Sequence, residues 1–456
     1  MKRTASLLLT AALLLGLALP AMAADPAPVV ILHTNDVHTA TDRYASVSAY
    51  RAEMEKKYGQ DRVTLVDTGD AIQGAPIGTL TEGASLVDIM NHVGYDYAIP
   101  GNHEFDYGMD VLLDLARNRA QYTYLSCNLL DQNGKTVLAP YALEDYGDVQ
   151  VAYVGISTPE TLTKSNPTHF LDGSGNYIYS FCEGGEGQEL YATVQNAVDA
   201  AREEGADYVV ALAHLGMEGI TSQWTSSAVI ANTIGIDVVI DGHSHEAYQQ
   251  EVSNQSGEPV ELVQTGTQLA NLGCVILDPA TGDITTQLFS LEGADVPTDP
   301  NTQAYLDGVN SQFEAELQQV VGSTSVSLKA TAENNYDWAV RVGETNMGDL
   351  VADAYRYALG ADIGLCNGGG IRADIPVGDI TYQDLLSVQP YGNELCLVEA
   401  TGQEVLDALE MGVRLYPESS GGFLQVSGLT FTVDASIPSS VSLSHQGAFL
   451  GVDGPY

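Results

Sequence analysis

"VVILHTND", Val29–Asp36, is a run of four aliphatic residues, three of them β-branched, that ends in polar residues. A short apolar run closed by polar positions reads as a strand buried on both faces, emptying into a loop. The same grammar returns in "RVTLVDTGD" (62–70), "YDYAIPGNHEFD" (95–106), "YVVALAHLGMEG" (208–219) and "DVVIDGHSHEAY" (237–248). Between these runs lie amphipathic stretches such as "SLVDIMNHVG" (85–94) and "MDVLLDLARNRA" (109–120), which predict helices. Alternation of this kind gives an α/β fold. In open α/β sheets, functional loops gather at the carboxyl ends of strands, and each of these polar clusters sits at such an end.

The chain has 456 residues, which suggests two or three domains. "LEGADVPTDPN" (291–301) breaks the pattern with two prolines, and "TQAYLDGVNSQFEAELQQVVG" (302–322) predicts a bridging helix. The expected organisation is a first domain at 28–295, a linker and helix at 296–324, and a second domain at 325–456. The second domain carries "NMGDLVADAYRYALGADIGLCNGGGIRADI" and ends on a predicted strand, "FLQVSGLTFTVD" (423–434). No solenoid-type repeat or low-complexity tract is present.

Seventeen Lys+Arg stand against 60 Asp+Glu, a formal charge of −43. Such a surface repels polyphosphate backbones, which excludes a nucleic-acid polymer as partner through a basic face. An anionic small molecule must be drawn in locally, by metal ions or a few placed arginines. Residues 1–23 have a basic start (Lys2, Arg3), an apolar core (Leu7–Leu19) and a small-residue "AMA" end, the pattern of a signal peptide. Export is expected, to a periplasm, the cell surface or the medium, with no transmembrane segment after cleavage. Five cysteines without a CxxC pair give no support to a thiolate zinc site, and Cys366 with Cys396 is the candidate disulfide. Nothing in the sequence sets an oligomeric state.

Five of the nine histidines (His38, His103, His214, His243, His245) follow or lie within strand-end loops, joined by Asp36, Asp70 and Asn102. A mixed imidazole, carboxylate and amide set suits divalent zinc, manganese or cobalt. Two such ions clamp an in-line displacement at phosphorus and generate hydroxide at neutral pH, with Asp70 as the natural bridging carboxylate. Taken singly the pieces are weaker: "DVH" and "GDAIQG" also read as turns, and Asp106 as a surface acid or helix cap. "GNHEFD" is more specific, because Gly101 permits close backbone approach. His33, His92, His169 and His445 read as structural.

The order D-x-H, GD, GNHE, H, GHSH resembles the calcineurin-like metallophosphoesterase superfamily. With "ILHTNDVH", "GNHEFDYG" and "NGGGIR" the chain resembles, more narrowly, the 5′-nucleotidases, which include bacterial UDP-sugar hydrolases and animal ecto-5′-nucleotidase. The resemblance implies a four-layer α/β/β/α N-terminal domain and a C-terminal α/β nucleotide-binding domain. It implies two divalent ions, one held by Asp36, His38, Asp70 and His245, the other by Asp70, Asn102, His214 and His243. At His245 some relatives carry Gln or Asn. His103 and Asp106 match the catalytic pair: an imidazolium suits charge on a transferring phosphoryl group, and Asp106 suits orienting the ring. In the second domain Arg341 and Arg372 match phosphate- and carboxylate-binding arginines and Asn367 a base-contacting residue, although "GGG" alone also reads as a hairpin turn. Tyr391 falls where relatives stack an aromatic, usually Phe, on the base; core packing is its other reading. A second aromatic of that clamp is expected beyond Tyr456, so the chain reads as lacking the end of this domain.

The implied function is an exported phosphohydrolase acting on nucleoside 5′-monophosphates, with UDP-sugars and nucleoside di- or triphosphates as related substrates, by attack of a metal-activated hydroxide. A 2′,3′-cyclic nucleotide phosphodiesterase/3′-nucleotidase is the alternative enzyme, and a sulfur-compound hydrolase a more remote one. A non-catalytic nucleotide-binding surface protein is the alternative outside enzymes.

Overall fold

Val29–Thr34 forms the expected strand, buried at every position. Its side chains divide by parity, as a pleated strand requires. Val29 and Ile31 face a core shared with Val151, Tyr153, Val210, Leu212 and Ile240, whereas Val30 and Leu32 face one lined by Tyr44, Val47, Leu86 and Met90. The computed structural model describes residues 27–217, 221–333, 337–393, 395–443, 449–454 and 456. The expected signal segment and His445 lie outside them.

Two six-stranded sheets pack face to face. In spatial order the first runs Asp283–Ser290, Asn271–Asp278, Val29–Thr34, Val63–Asp67, Tyr97–Ala98 and Thr123–Tyr124. The second runs Ala247–Ser253, Pro259–Thr265, Val238–Ile240, Tyr208–Ala213, Gln150–Ile156 and Tyr141–Asp145. Helices Tyr44–Tyr58, Ala84–Val93 and Pro300–Leu317 cover the outer face of the first sheet, and Gln188–Glu203 that of the second. This is the four-layer α/β/β/α arrangement. Strands that end at the polar loops are parallel within each sheet, while antiparallel strands extend the edges. Among the described residues no helix is long and apolar enough to cross a membrane.

The bridging helix starts at Pro300, with Asp299 accepting from the backbone N–H groups of Asn301 and Thr302. It stops at Leu317 rather than at the expected Gly322, and Val320–Thr324 pairs antiparallel with Gly378–Thr381. The β-branched and glycine residues of "VVGST" favour that extended state over helix. Beyond it, Leu328, Ala330, Val340, Met347, Val351, Cys366, Ile371 and Val388 form a separate core. Helix Asn346–Leu359 is N-capped by Thr345, and strand Gly364–Asn367 pairs with Leu424–Ser427. The latter is shorter than the expected strand, because Gly428 turns the chain at φ 82°. The candidate Cys366–Cys396 disulfide is not formed. Cys366 is buried in that core while Cys396 is exposed, and all five thiols are free.

Candidate metal centre and active site

Each donor residue follows a strand: Asp36 and His38 after Val29–Thr34, Asp70 after Val63–Asp67, Asn102 and His103 after Tyr97–Ala98. His214 follows Tyr208–Ala213 in the second sheet, and His243 and His245 follow Val238–Ile240. The two sheets thus deliver their loops to one rim. Two glycines allow the loops to close on each other. A Cβ on Gly69 would meet the Gly101 nitrogen at 2.5 Å, and one on Gly101 would meet the His214 ring at 2.7 Å.

Two groups of donors result, Asp36–His38–His245 and Asp70–His214–His243, with ligand atoms within 4.8 Å of one another in each. His38 Nε2 and His245 Nε2 are 3.0 Å apart, and His245 Nε2 is 3.4 Å from Asp36 Oδ1. His214 Nε2 lies 3.2 Å from Asp70 Oδ2 and 4.0 Å from Asp36 Oδ1, which links the groups. His214 Nδ1 meets the Thr68 carbonyl at 2.7 Å, so Nε2 is the nitrogen presented to the centre. His214 Nε2 and Asn102 Oδ1 are buried without a hydrogen-bond partner. Buried polar atoms are rarely left so, and one cation in the Asp70–His214–His243 cluster would satisfy both. Five of these residues hold left-handed backbone: Asp36 (φ 49°), His38 (48°), Asp70 (59°), His243 (81°) and His245 (59°). Non-glycine residues of this kind concentrate at functional sites. The residues present therefore fit divalent ions of the borderline or hard class.

Burial and neighbouring charges set the ionisation of the rim, and against burial Asp70 raises His214 to about 10. Burial opposes charge on Asp70, but the His214 and His103 rings outweigh it and hold the carboxyl well below its usual range. Burial lowers His38 to about 4, so its ring is neutral with a lone pair to offer. His103 Nδ1 is 2.6 Å from Asp106 Oδ2, and Ser165 donates to the other Asp106 oxygen at 3.0 Å. Burial works against the His103 cation; Asp106 and then Asp70 overcome it and raise the ring to about 9.

From the second domain, Tyr391 stacks on His103 with ring centres 5.6 Å apart and planes at 19°. The preceding Pro390 carbonyl accepts from Thr79 Oγ1 at 2.8 Å and Gln73 Nε2 at 3.5 Å, joining the domains beside the centre. Arg341 and Arg372 lie 5.3 and 5.4 Å from the Trp338 ring, and among the described residues neither has a carboxylate partner. Burial and the Arg372 charge both push the Arg341 guanidinium down from its ordinary value. Asn367 is exposed, its amide donating to the Gly421 carbonyl at 3.2 Å.

Sequence reasoning left several supporting side chains without a role. Glu104 is buried and accepts from the backbone N–H groups of Asp70, Ala71 and Gly101, each at 2.7 Å. Burial, then the neighbouring Asp70, pushes Glu104 up to about 7 against donors that favour its anion. Glu160 contacts His243, and Trp338 backs the arginine pair. The available signal for Glu160 was "YVGISTPE" (153–160), another apolar run that ends in a polar loop.

Comparison with known proteins agrees with this arrangement. Residues 29–247 match the calcineurin-like phosphoesterase family, and residues 320–447 match the 5′-nucleotidase, C-terminal domain. The 5′-nucleotidase of Bos taurus is 30% identical over 465 residues, covering 91% of this chain and 77% of the bovine protein. The trifunctional nucleotide phosphoesterase YfkN of Bacillus subtilis is 29% identical over 89% of this chain, which spans only 29% of that longer protein. In structure, a 5′-nucleotidase precursor from Thermus thermophilus aligns over 93% of this chain and 87% of its own, with TM-score 0.70 and 26% identity. The chain belongs to the 5′-nucleotidase family of calcineurin-like phosphoesterases and is by class a phosphoric monoester hydrolase. The divalent metals that this family implies have two candidate clusters here.

Proposed function

We propose that the chain is an exported, metal-dependent hydrolase that releases phosphate from nucleoside 5′-monophosphates, UDP-sugars and nucleoside di- and triphosphates being related substrates. The observation that carries this reading is the meeting of three features at one rim. Two donor clusters lie side by side, His103 backed by Asp106 adjoins them, and an arginine pair beside Tyr391, the ring stacked on His103, has no acidic partner among the described residues. Export rests on the signal-like pattern of residues 1–23. The working division is a phosphoesterase domain at 28–295, a linker at 296–324 and a substrate-binding domain at 325–456.

In this reading Asp36, His38, Asp70 and His245 hold one divalent ion, and Asp70, Asn102, His214 and His243 the other. When bound, such a pair neutralises the phosphoryl oxygens and supplies a water nucleophile at neutral pH. His103, kept cationic by Asp106, stabilises charge that builds on the transferring group and on the leaving oxygen. Arg341 and Arg372 present guanidinium forks to the substrate's anionic groups. Asn367 and Tyr391 contact the base.

A phosphate-release assay with AMP, UDP-glucose, ATP and 2′,3′-cyclic AMP tests the reading. AMP is expected to be hydrolysed fastest, with activity lost on chelation and restored by Mn²⁺ or Zn²⁺. His103→Asn should keep both ions and lower kcat roughly 10²-fold or more. Preference for the cyclic nucleotide would replace the substrate assignment, and loss of metal in His103→Asn would make His103 a ligand instead.

A further inference from the structure

Glu160 follows the second-sheet strand Gln150–Ile156 by four residues and is only 5% exposed. Its two oxygens are used differently. Oε1 accepts the backbone N–H of Thr221 at 2.8 Å and the Thr221 hydroxyl at 2.6 Å. Oε2 lies 3.1 Å from His243 Nε2. The cationic group nearby, Lys164, has its ammonium 3.9 Å away on a half-exposed side chain. A buried carboxylate needs partners, and here the close one is an imidazole.

That contact decides which ring nitrogen of His243 is available. With Nε2 engaged by the carboxylate, Nδ1 is the atom left for the cluster shared with Asp70 and His214. The backbone of His243 is pinned as well, its N–H donating to Asp36 Oδ2 at 2.9 Å while the residue holds φ 81°. His214 offers a contrast in the same cluster. Its distal nitrogen meets a neutral partner, the Thr68 carbonyl. A carboxylate in the corresponding place makes an imidazole a stronger donor and fixes its orientation.

We propose that Glu160 is a positioning residue for the Asp70–Asn102–His214–His243 cluster. It accepts the His243 Nε2–H, sets the tautomer and aims Nδ1 at a divalent cation. This rests on the metal-binding reading given above. Glu160 thus engages His243 directly and also accepts from Thr221, seven residues after His214 in the chain. Among the described residues, none of its hydrogen bonds or ion pairs reaches the Asp36–His38–His245 group.

The test is a calorimetric titration of the metal-free chain with Mn²⁺, run on wild type, Glu160→Gln, His243→Ala and the double variant. Glu160→Gln keeps the side chain's shape but removes its charge. One of two dissociation constants should rise about 10- to 100-fold, the other staying within about twofold. The melting temperature of metal-free Glu160→Gln should stay near that of wild type, which a merely structural role would not allow. If Glu160 acts through His243, the double variant should lose no more affinity than His243→Ala alone. Wild-type affinities at both sites of Glu160→Gln, or fully additive losses, would overturn the proposal. Fewer than two ions on wild type would overturn the metal reading itself, and this proposal with it.

Discussion

His245 shows how local conformation has been set against intrinsic preference. Its ring meets His38 and Asp36, yet its backbone sits at φ 59°, where a Cβ is disfavoured. Replacement by Ala or by Gly removes the same side-chain contacts, so the two variants differ only in backbone tolerance. His245→Gly should therefore be more stable than His245→Ala by about 1 kcal/mol in metal-free denaturant unfolding. Equal midpoints would mean that the loop relaxes its left-handed turn once the ring is gone. The same backbone state recurs at Asp36, His38, Asp70 and His243, so the rim is strained where its donors are densest.

Between elements, Glu104 performs the joining. Its carboxylate collects three backbone N–H groups from the loops after Val63–Asp67 and Tyr97–Ala98. In Glu104→Gln an –NH₂ group must face at least one of those donors. That leaves a buried donor unpaired at a cost of about 1–3 kcal/mol. The expected result is a lower denaturation midpoint together with weaker metal uptake, since Asp70 sits on the clamped loop. An unchanged midpoint would show that the loops hold without this clamp.

At this scale the limits of sequence reading are also visible. The strand-end loops and their donors were legible because an apolar run followed by polar residues is a local pattern. The partners of those donors were not, because Glu104 reaches back across 34 residues to Asp70 and Glu160 across 83 to His243. The bridging helix ends at Leu317, short of the expected Gly322, because helical periodicity continues into a segment that finds a strand partner at Gly378–Thr381. Cys366 and Cys396 are the candidate disulfide, but one is buried in the second core and the other is exposed.

On the scale of the whole molecule, the candidate centre is bordered by a residue of the second domain. Tyr391 covers one side of His103, and the Thr79 hydroxyl on the Pro390 carbonyl holds it there. Removing the ring should leave the donor clusters intact and damage nucleoside recognition. Tyr391→Ala is expected to raise KM for AMP roughly tenfold to hundredfold, the worth of one stacking surface at about 1–3 kcal/mol. Its kcat/KM for a simple aryl phosphate should change far less. A matching loss on both substrates would show that Tyr391 serves His103 rather than the base.

The arginine pair beside Trp338 has a consequence for encounter kinetics. It is a small cationic island on a chain with a formal charge of −43, and a nucleotide anion must cross the field of the whole molecule to reach it. Screening length falls from about 30 Å at 0.01 M salt to about 10 Å at 0.1 M, so added salt hides the distant acids before it hides the two nearby guanidinium groups. With free metal held constant, kcat/KM for AMP should climb several-fold as inert salt is raised through that range. The usual salt penalty of an anion-binding protein would thereby be reversed, with dilute buffer expected to be the condition of slowest capture.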